Sequence, residues 1–184
     1  VCSKGRTGFF FDDQKAIKAG AAHDGAAYIG KPVTPGFTSI RMAGESISVM
    51  IILEDGQIAF GDCAAVQYSG AGGRDPLFLA KDFIPVINKY IKPMLVGKEA
   101  DNFRKLTSEM EAITIKGKKL HTAIRYGITQ ALLNAVANNQ RVTMAEVIRA
   151  EYDTEMTEWN PVPIFLQSGD DRYLAVDKAI IKEA

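Results

Sequence analysis

Apolar and polar positions change period twice along the chain, and the changes mark three zones. The first, about residues 36 to 67, reads as strands. Ile47 to Leu53 is rich in β-branched residues, Glu54-Asp55-Gly56 is a turn signal, and Gln57 to Phe60 resumes the strand. Phe37 to Arg41 has the same character, so a three-stranded antiparallel meander is predicted, with residues 20 to 36 as a Gly/Pro-rich loop before it. The second zone, about residues 76 to 150, has helical spacing. Asp75-Pro76 looks like a cap and first-turn proline, followed by an apolar face through Leu77, Ala80, Phe83 and Ile87, with a kink or break expected at Pro85. A shorter helix is predicted over 101 to 111, and the clearest over His121 to Asn138, with Ile124, Ile128, Ala131, Leu132, Ala135 and Val136 on one stripe. Thr143 is a candidate cap for one more. In the third zone Val162 to Leu166 has a buried-strand pattern, 167 to 171 a polar loop, and Arg172 to Lys182 an amphipathic helix. That is one unit of a parallel α/β fold. A lone parallel strand leaves its backbone unsatisfied, so the expectation is a chain cut in the first unit of a barrel.

Composition narrows the class. The chain has 184 residues, 47% apolar and 24% charged, enough to bury a real core. Twenty-two basic residues balance 22 acidic ones, which argues against a nucleic-acid or membrane-surface protein. No apolar run approaches the roughly 20 residues of a membrane span. Cys2 and Cys63 are too few for a disulfide framework, and the apolar stretch Gly8 to Phe11 is too short for a signal-peptide core. A reducing, cytoplasmic setting is expected. The first residue is Val1 rather than Met, so a trimmed or unseen N-terminus is also expected.

Candidate chemistry is sparse. Residues 63 to 75, CAAVQYSGAGGRD, follow a strand and precede a helix. Such a glycine-rich loop can offer backbone amides to an anion, or can simply be a connector whose glycines serve turn geometry. Gln167 sits past the end of a predicted parallel strand, where α/β folds carry their binding groups. Asp170 and Asp171 are adjacent and diverge, so capping of the next helix by Asp171 is preferred to cation binding. Asp12-Asp13 reads as a cap for the Gln14 to Lys18 turn in the same way. His23, beside Asp24, and His121 are too far apart for a metal pattern, and packing is the expectation for His121. Cys63 has no local base.

Several stretches together carry a resemblance that spacing alone does not. They are Phe11-Asp12-Asp13-Gln14, Ala22-His23-Asp24-Gly25, the long run from Gly61 to Leu77, His121 to Gly127, and Gln167 to Tyr173. From about Gly8 to its end the chain resembles the methylaspartate ammonia-lyases of the enolase superfamily. The resemblance implies an α+β fold. Residues 1–160 would form an enolase-type N-terminal capping domain, a three-stranded antiparallel meander plus helices. Residues 161–184 would be the first strand-helix unit of a TIM-like β/α barrel.

It further implies reversible elimination of ammonia from threo-3-methylaspartate to give mesaconate, within glutamate breakdown. In that family magnesium chelates a substrate carboxylate and stabilises the enediolate formed when a lysine removes the adjacent proton. A histidine on the opposite face serves the other stereoisomer, potassium (K+) acts as activator, and the enzyme is a homodimer. The three acidic Mg2+ ligands, the lysine and the histidine belong to later barrel strands, outside these residues. Two family positions fall inside: Gln67 matches the glutamine lining the amine side of the pocket, and Gln167 the first-strand glutamine that hydrogen-bonds substrate. A neutral amide can accept from an ammonium and donate to a carboxylate without adding charge. Two kinds of function stay open: the N-terminal part of a magnesium-dependent ammonia-lyase, or a stand-alone binding module without catalysis. Another enolase-superfamily lyase or isomerase activity is a subordinate alternative.

Overall fold

The first strand, β1 (Cys2–Phe11), leaves its sheet through a short helix, α1 (Asp13–Lys18), and a small hairpin of β2 (Ala22–Asp24) and β3 (Ala27–Ile29). The chain then returns as β4 (Arg41–Ile52) and β5 (Ile58–Ala64). After β5 come α2 (Ala80–Val86), a π-helical turn (Ile87–Ile91), α3 (Lys92–Leu95) and α4 (Phe103–Glu111). A two-residue-per-strand hairpin, β6 (Thr114–Ile115) and β7 (Lys118–Lys119), leads into the long α5 (Thr122–Gln140), then α6 (Met144–Glu151) and finally α7 (Arg172–Ile181). This is a computed structural model, and it describes residues 1–24, 27–65, 75–154 and 172–182. The chain divides into two compact units, Val1–Asp153 and Thr154–Ala184. The first unit is α+β; of the second, α7 is the described element.

The sheet is antiparallel in the order β1-β4-β5. The β4–β5 hairpin is as the sequence predicts: Gly56 turns at φ +87°, and the Gln57 N–H donates to Asp55 at 3.0 Å. The third strand differs from expectation. Phe37 to Ile40 is not extended into the sheet; Arg41 begins β4, and the partner strand is β1, pairing from Cys2↔Val49 to Phe11↔Arg41 with a register shift between Thr7 and Phe9. The cause is visible at Gly5, where an added Cβ would stand 2.5 Å from the Ser46 hydroxyl. A side chain there would displace the Ser46 hydroxyl, and the same glycine weakens the strand pattern in the sequence. Residues 20 to 36, expected as loop, hold the β2–β3 hairpin.

One helix covers the sheet. Along α5 the residues Ala123, Ile124, Gly127, Ile128, Ala131, Leu132, Ala135 and Val136 are all buried, a stripe of three-and-four spacing. The stripe meets β5 backbone to backbone. A Cβ on Gly61 would lie 2.0 Å from the Gly127 carbonyl oxygen, and one on Gly127 would lie 2.4 Å from the Cys63 nitrogen. Further along, α5 also closes the free edge of β5. The Phe60 N–H donates to Asn134 Oδ1 at 2.9 Å, and Asn138 Nδ2 donates to the Ile58 carbonyl at 3.3 Å. The core between sheet and helices contains Phe10, Ile47, Val49, Cys63, Phe78, Ile91, Met110 and Ile124.

Helix boundaries depend on carboxylates from elsewhere in the chain. α2 begins at Ala80, later than the Asp75-Pro76 signal predicts, because the Ala80 N–H is met by Glu45 of β4 at 2.7 Å. α4 takes Glu151 on its Phe103 and Arg104 amides, with Asn102 as local cap. Thr143 caps α6 in a full capping box with Glu146, as its position predicts. Past Pro85, which deprives one carbonyl of its partner, the regular ladder gives way to the π turn, and Pro93 follows in the first turn of α3.

The glycine contact sets a clear expectation. Gly127→Ala and Gly61→Ala should each cost about 3 kcal/mol or more, because backbone rather than a side-chain tip must move. Gly56→Ala, where space is open and only positive φ opposes it, should cost about 1–2 kcal/mol. Urea midpoints followed by circular dichroism give the comparison; a Gly127→Ala protein as stable as the Gly56→Ala protein would show the approach is not this close.

Candidate functional site

Gln67, with the glycine-rich residues around it, and Gln167, with Asp170 and Asp171, lie outside the described residues. The structure therefore describes what flanks the segment 66–74. On its N-terminal side β5 runs to Ala64, held against α5 by the Gly61–Gly127 approach. On its C-terminal side Asp75 and Pro76 are both bound to the first turn of α5.

Those attachments are specific. The Asp75 carboxylate accepts the Thr122 N–H at 3.0 Å, at the positive end of the helix dipole. His121 is the N-cap: its Nδ1 lies 3.0 Å from the Ala123 nitrogen, and its Nε2 lies 3.0 Å from the Pro76 carbonyl oxygen. A backbone N–H can only donate and a carbonyl can only accept, so Nδ1 is the acceptor and Nε2 carries the proton. The ring packs against the stacked pair Phe78 and Phe83, 4.9 Å from each between centroids. Its side chain is 3% exposed. Burial pushes the imidazole below its ordinary pKa, opposed by the Pro76 bond and the Asp75 charge. Asp75, which burial alone would raise, is held below the usual carboxylate range by its bonds from Thr122. His121 thus packs, as expected, but it also ties two separated pieces of chain together. No local signal in the sequence links residue 76 to residue 121.

Other sequence candidates find structural employment. Asp12 does not cap α1 through its side chain; fully buried, it accepts the Val33 and Thr34 amides and the Thr34 hydroxyl. It therefore fixes the loop that precedes β4. Asp13 pairs with Arg41 at 2.8 Å. Cys63 is buried and its thiol is pushed up to about 12 by that burial, the opposite of an activated nucleophile. Cys2 is also raised by burial. His23 and Asp24 stand in β2. Among the described residues no three His, Cys, Asp or Glu side chains gather where a metal ion could be held, so these residues offer magnesium no fit. No described helix is long and apolar enough to cross a membrane. A cavity of about 1080 Å³ lies between the Val49–Asp55 end of the hairpin and the helices, and shares no residue with the His121 cluster.

Comparison with known proteins places these features in company. The family described as methylaspartate ammonia-lyase N-terminus matches residues 1–153. Over 184 residues the chain is 66% identical to methylaspartate ammonia-lyase of Clostridium tetanomorphum, covering 100% of this chain and 44% of that protein. It is 52% identical over 181 residues to methylaspartate ammonia-lyase of Haloarcula marismortui, covering 97% and 43%. The crystal structure of the Clostridium tetanomorphum β-methylaspartase magnesium complex superposes with a TM-score of 0.89 over 100% of this chain and 44% of that one, at 66% identity. The Citrobacter amalonaticus enzyme containing (2S,3S)-3-methylaspartic acid gives 0.88 at 54% identity, over 99% of this chain and 44% of that one. The chain thus spans less than half the length of these relatives.

The neutral His121 makes stability depend on pH in a defined direction. A histidine whose folded pKa is depressed stabilises fully above its unfolded value, about 6.5, and that stability is lost as pH falls toward the folded value. Asp75 acts in the same sense lower down, below about pH 4. The urea midpoint should therefore fall as pH drops below about 6.5, and His121→Asn, which keeps a capping oxygen, should flatten that part of the curve. An identical slope in the variant would remove His121 as its source.

Proposed function

The chain belongs to the methylaspartate ammonia-lyase family, and from that premise we propose that its whole protein reversibly eliminates ammonia from threo-3-methylaspartate to give mesaconate. The observation that carries this reading is the 66% identity to a methylaspartate ammonia-lyase along the entire chain, with the same backbone. We read residues 1–160 as the capping domain and 161–184 as the start of a TIM-like barrel. Mg2+, present in a related structure, supplies charge to a substrate carboxylate when bound, and K+ serves as activator. The ligands for Mg2+ belong outside this segment. The enzyme is read as a cytoplasmic homodimer acting on a small-molecule substrate in glutamate breakdown.

The contribution of this segment is recognition rather than proton transfer. Gln67 contacts the departing amine and Gln167 hydrogen-bonds the substrate. The support for both is the residue-by-residue match of the flanking motifs, together with amide chemistry suited to an ammonium and a carboxylate at once. Loss of one such bond to a charged group costs on the order of 1.5–3 kcal/mol in a dry site, or one to two powers of ten.

Two measurements test the proposal. The full-length protein, with Mg2+ and K+, should release ammonia and mesaconate from threo-3-methylaspartate, while residues 1–184 alone should not; activity of the segment at the full-length rate would overturn the division of roles. Gln67→Ala should weaken ammonia addition to mesaconate roughly 10- to 100-fold, and methylamine should be favoured relative to ammonia because space opens beside the amine. An unchanged amine ratio would mean that Gln67 does not face the amine.

A further inference from the structure

We propose that the head of α5 is a proton-operated switch in which the His121 ring exchanges partners: the Ala123 amide when the ring is neutral, the Asp75 carboxylate when it is charged.

Both partners are already in place. Nδ1 takes the Ala123 N–H at 3.0 Å, and the same nitrogen lies 4.0 Å from Asp75 Oδ2. In the neutral ring these are two acceptors side by side with no proton between them. Each is served by its own amide of α5, Ala123 for the ring and Thr122 for the carboxylate. A proton added to Nδ1 reverses its role. The Ala123 N–H then faces another donor and must let go, while Asp75 meets a new one. A carboxylate accepts several hydrogen bonds, so Asp75 can take the ring without releasing Thr122. The gap has to shorten by about 1 Å to reach the roughly 2.8 Å of a charged N–H···O bond. Nε2 carries a proton in both states, so its bond to the Pro76 carbonyl is compatible with either.

Asp75 is the charged group that acts on the ring. α2 meets the ring through Phe83, and Phe78 is the other aromatic neighbour. On α5 itself, Arg125 is paired with Glu111 of α4 and acts on Asp75. Burial holds the ring neutral at neutral pH while the Asp75 charge favours the charged form, so the exchange belongs below the unfolded value of about 6.5. Asp75, itself held below the usual carboxylate range, stays an anion well below that point. The rest of the turn does not depend on the ring. The Ile124 and Arg125 amides bond to the His121 carbonyl at 2.9 and 3.1 Å. The exchange should therefore release one amide, Ala123, and leave its neighbours closed.

Amide hydrogen exchange of the full-length protein from about pH 7.5 to about pH 5, resolved by overlapping fragments in mass spectrometry and corrected for the intrinsic rate at each pH, reads this outcome. Ala123 should lose protection roughly tenfold, the effect of one hydrogen bond, while Ile124 and Arg125 change less than about twofold. The head of α6, capped by Thr143 and Glu146 without a histidine, is the internal reference. H121N cannot titrate and should hold Ala123 constant. D75N keeps a carbonyl oxygen for the Thr122 amide but offers the ring no charge, and should carry the loss of Ala123 protection to lower pH. Ala123, Ile124 and Arg125 opening together would mean that the turn frays and no partner is exchanged. That result, a flat parental Ala123 profile, a persisting pH response in H121N, or a D75N profile matching the parent would each overturn the proposal. Should either variant fail to fold by circular dichroism, the parental profile decides: Ala123 opening by itself supports the exchange, and joint opening or none overturns it.

Discussion

The contact on which the first unit depends is the backbone approach of α5 to β5 at Gly127 and Gly61. Two glycines facing each other allow a helix and a strand to touch without intervening side chains. Once that point is fixed, the three-and-four stripe of α5 falls over the sheet, with Ala131 beside the glycines and larger residues to either side. The same placement brings Asn134 and Asn138 to the exposed edge of β5, where they occupy backbone groups that would otherwise recruit another strand. It also sets the height of the helix N-terminus relative to the sheet, and hence the position at which Asp75 and Pro76 are received.

A second constraint comes from helix ends. Each exposes amides that water or a side chain must satisfy, and three of the helices here take carboxylates distant in sequence: Glu45 for α2, Glu151 for α4 and Asp75 for α5. Each such bond docks an element as well as ending one. Glu45 joins sheet to helix, and Glu151 joins α6 to α4. Where a cap is local, as with Thr143 and Glu146, the helix start is legible from four residues; where it is distant, it is not. This is why α6 was predicted at its start while α2 begins five residues after its apparent signal.

The sheet divides in the same manner. The β4–β5 hairpin carries its own turn chemistry and its β-branched run, so both strands can be read without knowing what they pack on. β1 cannot be read so directly. Lys4, Gly5, Arg6 and Gly8 break its alternation, and its residence in the sheet shows only in its pairing with β4 and in buried Phe10. Asp12 shows the limit at a single residue. Its sequence context says cap, while its carboxylate binds residues 33 and 34, a partnership no local pattern contains. Gln67 and Gln167, proposed as substrate contacts, are singled out only through the motifs that surround them, because a lone Gln has no spacing signature.

His121 joins these arguments. A fold selected only for stability would place a better capping residue at the head of its most buried helix. The histidine has a weaker claim as a cap and a stronger one as a bridge, because its two nitrogens point in fixed, divergent directions from a rigid ring. The bridge functions only while one nitrogen is bare and the other protonated, and burial against the stacked Phe78 and Phe83 favours that neutral form. A charged ring would have to donate from both nitrogens, and the Ala123 amide cannot accept. The same enclosure that keeps water from the tether therefore keeps the tether in the protonation state it requires.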